Sequence, residues 1–499
     1  MRDQASASSL RVLVVDLNNF ARYPSIAIGA LVGALRREAI DVDVFSPLSI
    51  GIPGVPRETR AQPWGRIDEF VRHATANAAS PTLRALRARL AERRHPLGAG
   101  HEQRIIAEIA SALDRGYDAV LLSAYLLYRS AVEKIASLCA SRGVPVVLGG
   151  PYFAQPEVID AWRGIPGVDA LFAGEAERCV GRLVETVVEG LDASSIHGVS
   201  TARVRGAAAP PLGDLDSLAF PDYRDFPWQR YPKRIVPIIT GRGCGWGACT
   251  FCSDITSSMG RSMRTRSAGN VLAELTHQSQ LHATECFVFT DLKMNSHLPT
   301  WYGLLDGIDN AAPGAQWIGS VHIAGRGENG LERENLKRAA AAGMVRLTTG
   351  LESGSPRVLE SMDKGADLER SERTLRDAAE AGISVRLTMI VGHPGERPQD
   401  VEQSAAFLAR NTQWIDRVLL NRFAMITGTR IHRRLRRGFP ARKTLDDLVA
   451  DPSSATVSHR YTPASSRAYQ RALWNLLGAT HTINRRRLGI AARAFEGVM

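Results

Sequence analysis

Half of the six cysteines in this 499-residue chain lie in one stretch, TGRGCGWGACTFCSD (240–254), where Cys244, Cys249 and Cys252 follow a C-x4-C-x2-C spacing. Cys139, Cys179 and Cys286 stand alone. Three thiolates delivered by one loop can hold three irons of a 4Fe-4S cubane and leave the fourth iron without a protein ligand. A structural zinc site needs a fourth ligand, and the nearest downstream histidines, His277 and His282, fall on the helical pattern that follows. The opening residues MRDQASASSL lack the apolar stretch of a signal peptide, and no run approaches the roughly 18 apolar residues of a membrane span. The chain therefore reads as soluble and cytoplasmic, a setting in which clustered cysteines point to a metal site rather than a disulfide.

The elements that must position this loop are legible from residue 234 onward. RIVPIIT, CFVFTD, WIGSVHI, VRLTTGL, SVRLTMIV and RVLLNRF alternate with amphipathic helical patterns such as SAGNVLAELTHQSQL and SERTLRDAAEAG. Six βα-type strands in order predict parallel α/β structure, a partial (β/α)6 TIM-like barrel rather than a closed one of eight. The cysteines follow the first strand at its carboxyl end, where such barrels assemble active sites. Period-2 reading puts Arg346, Thr348, Gly350 and Glu352 on one face of the fourth strand, and Arg386 with Thr388 on one face of the fifth. A polar lumen follows, with Arg346 and Arg386 as candidates to orient an anionic or hydroxylated substrate.

The first 200 residues alternate separately, through RVLVVDL, DVDVFSP, AVLLSAY, PVVLGG and DALFAG, and predict a doubly wound, Rossmann-like sheet. Its strand-end loops carry ligand-ready residues: Asn18 and Asn19, Ser123, Tyr125, Gly149, Gly150, Pro151, Gly174 and Glu175. Residues 48–100, rich in Arg, Pro and Ala, read as a helical insertion, and 431–499 as a helical extension. The formal charge is +11. RRLRRGFPARK (433–443) is the densest basic run, but it has no aromatic interleaving, so a solvated helix is expected and no nucleic-acid partner.

Residues 231–430 resemble the radical SAM superfamily, through CTFC in the cysteine loop, FVFTDLKMN, TTGLESGSPRVLESMDKG and MIVGHPGE. The resemblance implies that the open iron binds S-adenosylmethionine and that reductive cleavage gives a 5'-deoxyadenosyl radical. It places Phe251 against the adenine, Asp291 near the methionine amino group, Glu352 and Ser353 near the ribose or methionine end, and Gly392 and Glu396 beside the adenine. Most of the superfamily has C-x3-C-x2-C, so the loop from Gly245 to Ala248 holds one extra residue. VVLGGPYFAQPEVI, VDALFAGEAERCVGRLVE and the joining segment LDSLAFPDYRDFPW (215–228) resemble the cobalamin-binding class of that superfamily. This implies residues 1–200 as a cobalamin-binding domain, 201–230 as linker, 231–430 as the radical SAM unit and 431–499 as the extension. D-x-H-x-x-G is absent and His197 has the wrong spacing, so cobalamin without histidine ligation is implied.

Three readings stay open. The first is a C-methyltransferase acting on an unactivated carbon of a secondary metabolite or related small molecule or peptide, through methylcobalamin and the adenosyl radical. The second is a non-methylating rearrangement, cyclisation or oxidation, and the third a binding module with an idle barrel. Transfer-RNA methylthiotransferases are disfavoured, because only Cys139 and Cys179 precede the loop and both sit in apolar helical patterns. The class implies an electron donor such as flavodoxin or ferredoxin; a monomer is expected. Since the three loop thiols are the minimum ligand set available, Cys249→Ala is expected to lose the 4Fe-4S cluster on anaerobic reconstitution, with wild-type iron and sulfide in that variant as the contrary result.

Overall fold

Two parallel sheets organise the computed structural model, which describes residues 10–54, 61–62, 65–78, 80, 82–83, 86–87, 99–254 and 262–498. The first sheet is built on RVLVVD, whose alternate residues are buried on both sides. It comprises β1 (Arg11–Asp16), β2 (Asp41–Phe45), β3 (Ala119–Ser123), β4 (Val146–Gly149), β5 (Ala170–Phe172) and β6 (Val199–Ser200). Their order is β2-β1-β3-β4-β5-β6, parallel except for β6 on β5. Val12 and Val14 face the helices Ile26–Arg37 and Val180–Val188, while Leu13 and Val15 face Ala99–Leu113, Arg129–Ser141 and Pro156–Trp162. Order 2-1-3-4-5 is the flavodoxin-like doubly wound arrangement, in which ligands bind beyond the carboxyl ends near the β1/β3 switch. One strand is additional to the five runs read from the sequence. β6 follows His197, because Val199 and Ser200 pair with the open edge of β5.

The second sheet contains the six expected runs. After β7 (Val236–Ile238) comes the small ladder of β8 (Gly241–Arg242) with β9 (Arg264–Thr265); the sheet continues with β10 (Cys286–Phe289), β11 (Gln316–Val321), β12 (Met344–Glu352), β13 (Ser384–Val391) and β14 (Arg417–Arg422). Its order is β14-β13-β12-β11-β10-β7, all parallel. Phe287, Phe289, Trp317 and Leu387 belong to the main core under the covering helices. On the opposite face Val288 and Ile318 meet Phe495 and Val498 from the chain's last described turn, together with Tyr23 from the first half. Among the described residues no helix is long and apolar enough to cross a membrane.

The segment between the sheets is packed rather than loose. Tyr223 is fully buried and its hydroxyl donates to the Pro237 carbonyl (2.9 Å). It fits because Gly29 has no side chain: a Cβ there would stand 2.3 Å from the Tyr223 ring, and one on Gly33 2.3 Å from the Phe220 carbonyl oxygen. Arg36 ties the same segment down through Asp222 (2.7 Å) and Asp225.

The extension after β14 corrects the expectation of a purely helical segment. β15 (Met425–Ile426), β16 (Leu445–Asp451) and β17 (Thr456–Tyr461) form an antiparallel sheet, because TVSHRY alternates β-branched and polar residues after the turn-forming DPSS. The helix Arg467–Asn484 follows. Of the 48–100 insertion, the helix Gly65–Ala76 packs on it, with Arg66 over the Trp474 ring (3.8 Å) and Phe70 edge-on to it. Residues 55–60, 63–64, 79, 81, 84–85 and 88–98 of that insertion lie outside the described residues.

Glu396, in the turn after β13, docks the helix Arg467–Asn484 onto the second sheet. Its carboxylate accepts from the Tyr469 hydroxyl (2.6 Å) and from the Gly392 N–H (2.7 Å), and burial pushes its pKa up to about 7. A carboxyl raised in the folded state stabilises fully below its unfolded pKa, and that contribution is lost as pH rises through the folded value. Glu396→Gln keeps an oxygen for both donors and removes the titration. Its Tm is therefore expected to fall less than the parent's between pH 5 and 8, the stability difference changing by on the order of 3 kcal/mol. Parallel pH profiles by scanning fluorimetry would contradict this.

Candidate active site

The carboxyl ends of the two sheets face each other across a cavity of about 530 Å3. Eight of the nine loop residues singled out in the first half line it: Asn18, Ser123, Tyr125, Gly149, Gly150, Pro151, Gly174 and Glu175; Asn19 does not, its amide being turned to the Ile52 and Pro53 carbonyls. Across from them stand Arg242, Ser253, Asp254 and Thr290 of the second half. Asn18 keeps a buried Oδ1 without a partner, while its backbone N–H donates to Asp16. A Cβ on Gly149 would meet nothing within 4 Å, whereas one on Gly150 would strike the Ala124 carbonyl oxygen at 2.3 Å. Gly149 thus opens onto free space and Gly150 shapes the turn. An orphaned amide oxygen and a bare backbone beside apolar strand ends fit a large flat ligand with polar edges.

Two of these residues are engaged by the protein itself. Glu175 lines the cavity, but its carboxylate is held by Arg264 (2.7 and 2.9 Å), Arg242 (3.4 Å) and the Leu212 N–H (2.8 Å). Burial alone would raise its pKa; the Arg264 hydrogen bonds and the Arg242 charge outweigh that and hold it below the usual range. Gly174, at φ +143°, is crowded by Ala209 (2.7 Å from a would-be Cβ), so the protein itself fills its bare face.

The cysteine loop leaves β7 through Thr240 and Gly241, and Asp291 at the end of β10 anchors it. That carboxylate accepts from the Thr240 N–H (3.0 Å), the Thr240 hydroxyl (2.6 Å) and the Gly241 N–H (3.0 Å); burial raises its pKa to about 6. Further out, Gly245 N–H donates to Ser296 Oγ (3.2 Å), the Trp246 indole to the Asp363 carbonyl (2.8 Å) and Thr250 N–H to the Met362 carbonyl (2.8 Å). The extra residue is absorbed by Gly247 at φ +55° and by Gly365, which lets the Trp246 ring lie over it toward a stack on His322 (5.9 Å).

Cys244, Cys249 and Cys252 are free and half-buried. Burial pushes the Cys249 and Cys252 thiols up, and each of the two feels the charge of a neighbour in the trio. Lys293 and Lys364 flank them: burial lowers Lys293, while Glu352 and Cys249 outweigh burial and raise Lys364. Among the described residues no three His, Cys, Asp or Glu side chains converge on a single ion. Three thiols around one loop, beside two ammonium groups, suit a polynuclear cluster in which each sulfur serves a different iron.

Glu352 sits at the bulge that ends β12 with φ +66°, a strained conformation for a residue with a side chain. Its Oε1 accepts from Lys364 Nζ (3.2 Å) and the Thr388 hydroxyl (3.4 Å), so it faces the lumen beside the cysteines. Phe251 is half-buried against the core. The other polar residues expected around S-adenosylmethionine have partners within the chain. The polar atoms of Asp291 and Glu396 are engaged as described, and Gly392 (φ +84°) donates to Glu396. Ser353 Oγ lies 3.3 Å from Ser404 Oγ and accepts from the Ser355 N–H. These groups hold the strand-end turns in shape.

Arg346 and Arg386 stand farther off. Each is the third residue of its strand, and Arg346 lies six residues, about 20 Å, before Glu352. Arg346 is fully buried and donates to the Phe495 carbonyl (3.3 Å). Alternation identifies a face but not a height along it: both arginines lie at the amino end of their strands, away from the cysteines. Lys293, Lys364 and His322 also stand at the site; DLKMN and SMDKG carry the two lysines, but all three residues lie past the strand ends, where period-2 alternation gives no signal. His322 keeps a buried Nε2 without a partner, and burial, with Lys364 and Lys293, lowers its pKa to about 3.

Residues 238–408 match the sequence model of the Radical SAM superfamily. An uncharacterized methyltransferase of Pyrococcus horikoshii is 27% identical over 311 residues, covering 60% of this chain and 66% of that protein. The anaerobic magnesium-protoporphyrin IX monomethyl ester cyclase of Rubrivivax gelatinosus is 26% identical over 276 residues, 52% of this chain and 48% of that one. The chain spans less than two thirds of either relative. Among solved structures, the radical S-adenosylmethionine methyltransferase TsrM of Kitasatospora setae, with cobalamin and a 4Fe-4S cluster bound, superposes with TM-score 0.65 at 16% identity, covering 94% of this chain and 91% of that one. That likeness is one of fold. A match that begins in β7 and ends in the helix after β13 takes in the cysteine loop and all but the last strand of the sheet behind it, so residues 238–408 form a radical SAM domain, and the chain as a whole shares the fold of TsrM.

Proposed function

We propose that the chain is a cobalamin-dependent radical SAM C-methyltransferase acting on an unactivated carbon of a small molecule or peptide. The observation that carries this is the single cavity walled by the carboxyl ends of both sheets, with Ser253 and Asp254, next to Cys252, on its wall. In this reading residues 1–200 bind cobalamin, 201–230 link, 231–430 form a partial (β/α)6 barrel and 431–499 close it. Cys244, Cys249 and Cys252 would hold the cluster. Bound, the cluster with S-adenosylmethionine supplies a carbon-centred radical, and cobalamin supplies the methyl group.

The chain's own residues bind, orient and keep water out. Asn18 and the Gly149 backbone offer polar and flat contact for cobalamin, and among the described residues no histidine lines the cavity, in keeping with cobalt unligated by imidazole. Lys364 and Glu352 form a buried pair that fixes the lumen wall next to Cys249. Apolar side chains such as Leu121, Val147 and Leu183 line the rest and exclude solvent. Because the cyclase of Rubrivivax gelatinosus is also a relative, a non-methylating radical reaction is the second reading.

Anaerobic turnover with a substrate is expected to add one methyl by mass and to release both S-adenosylhomocysteine and 5'-deoxyadenosine. 5'-Deoxyadenosine without a methylated product would transfer support to the second reading. Gly149→Leu starts from a Cβ that meets nothing within 4 Å and adds bulk at the cavity wall, so retained cobalamin is expected to fall at least tenfold, about 1.4 kcal/mol, with iron content unchanged. Unaltered cobalamin in that variant would refute the assigned binding face.

A further inference from the structure

The basic run at 433–443 has no part in the chemistry above, yet it is built against the cysteine loop. The helix Arg430–Arg436 begins there: Ile431 N–H donates to the Thr250 carbonyl (2.9 Å), and Arg430 donates to the Ala248 carbonyl (2.9 Å) and reaches Asp363 (3.4 Å). Thr250 stands between Cys249 and Cys252. Asp363 also receives the Trp246 indole on its carbonyl, so helix, loop and Trp246 share one anchor. Ile431 and Leu435 are buried, which turns Arg433, Arg434, Arg436 and Arg437 outward. Among the described residues none of these four has a carboxylate within ion-pair distance, whereas Arg430 and Arg460 are paired with acids. Trp246 is 37% exposed and shares the Asp363 anchor with Arg430 at the start of this helix.

A helix dipole favours a cation in the last turn. It does not require four unneutralised guanidinium groups, whose mutual repulsion costs stability at low salt. Their position supplies a reason: a reductive reaction needs one electron delivered to the cluster, and this is the charged surface fastened to the loop that would hold it. We propose that the face formed by Arg433, Arg434, Arg436 and Arg437 is the docking surface for an acidic one-electron carrier protein. The carrier loses one electron, the cluster gains it, and no bond is made between the two proteins. The inference rests on the proposed function, since only a resident cluster needs that electron. Opposed charge speeds encounter and fixes orientation, with an effect that falls as ionic strength rises.

The test uses the full chain with its cluster reconstituted, reduced flavodoxin as the acidic carrier, titanium(III) citrate as a small reductant and single-stranded RNA as a competing polyanion. Arg433→Glu combined with Arg434→Glu and Arg437→Glu is expected to raise the flavodoxin Kd and slow flavodoxin-driven cluster reduction at least tenfold. Iron content, Tm and reduction by titanium(III) citrate should stay at parental values. Wild-type affinity should weaken between about 0.01 and 0.15 M salt, where the Debye length falls from about 30 to 8 Å. Arg433→Ala with Arg434→Ala gives a smaller loss in the same direction and guards against a folding artefact of charge reversal. Unchanged flavodoxin binding and reduction in the Glu variant would overturn the proposal. So would an equal loss with titanium(III) citrate, which would make the helix a mere prop for the loop, or loss of RNA binding with flavodoxin binding intact. A wild-type chain that holds no cluster reducible by titanium(III) citrate would instead sink the proposed function.

Discussion

Two buried acids and two arginines decide how the halves of this protein meet. Glu175 and Glu177 leave the carboxyl end of the first sheet, and Arg264 and Arg242 project from the small β8–β9 ladder beside the cysteine loop. All four side chains are at most 13% exposed. A buried ion pair adds little net stability over an apolar contact, but removing one partner strands a charge and costs several kcal/mol. The network therefore selects one mutual orientation of the two sheets more than it strengthens the contact, and that orientation brings Asn18 and Gly149 opposite Ser253 and Asp254.

The cysteine loop depends on the same arrangement from the other side. Its base is fastened by Asp291, its middle by Ser296 and Met362, and its far side by Arg430. These anchors come from the ends of β10 and β12 and from the extension after β14, so the thiols are placed by the whole second half rather than by their local spacing. Such over-determination allows one extra residue in the loop: Trp246 is accommodated over Gly365 and against His322, and the cysteines keep their place at the carboxyl end of β7.

What could be read from the residues alone follows the range of the forces involved. Alternation and period are local, and all six strands of the second sheet, the five parallel strands of the first and the cysteine loop were legible. So were the cavity-lining positions near Asn18 and Gly149, because ligands of doubly wound sheets gather at carboxyl ends. Height along a strand was not legible: Arg346 and Glu352 share a face, yet one meets the C-terminal turn and the other the lumen at the cysteines. Nor was it visible which polar groups were already taken, as with Glu175, Ser353 and Glu396, whose partners Arg264, Ser404 and Tyr469 are between 51 and 89 residues away. The antiparallel β16–β17 pair was overlooked because the arginine-rich run before it and the long helix after it dominate the composition of that region.

The misplaced arginines show what the amino end of the second sheet is for. A lumen with a polar wall would fill with water if open at both ends, and water or a stray donor would intercept any reactive species formed at the cysteines. Phe495 and Val498 close the far end against Val288 and Ile318, and they are held by Arg346 on the Phe495 carbonyl and Arg417 on Glu496. Tyr23 of the first half, which also lines the cavity between the sheets, packs in the same cluster. The guanidinium groups look wasteful inside a sheet until their partners are considered: a turn at the end of the chain offers bare carbonyls and a carboxylate, and only long cationic donors reach them from the strands. With one end sealed in this way, the mouth between the two sheets is left as the way in, and the cavity, the thiols and the ion network all lie there.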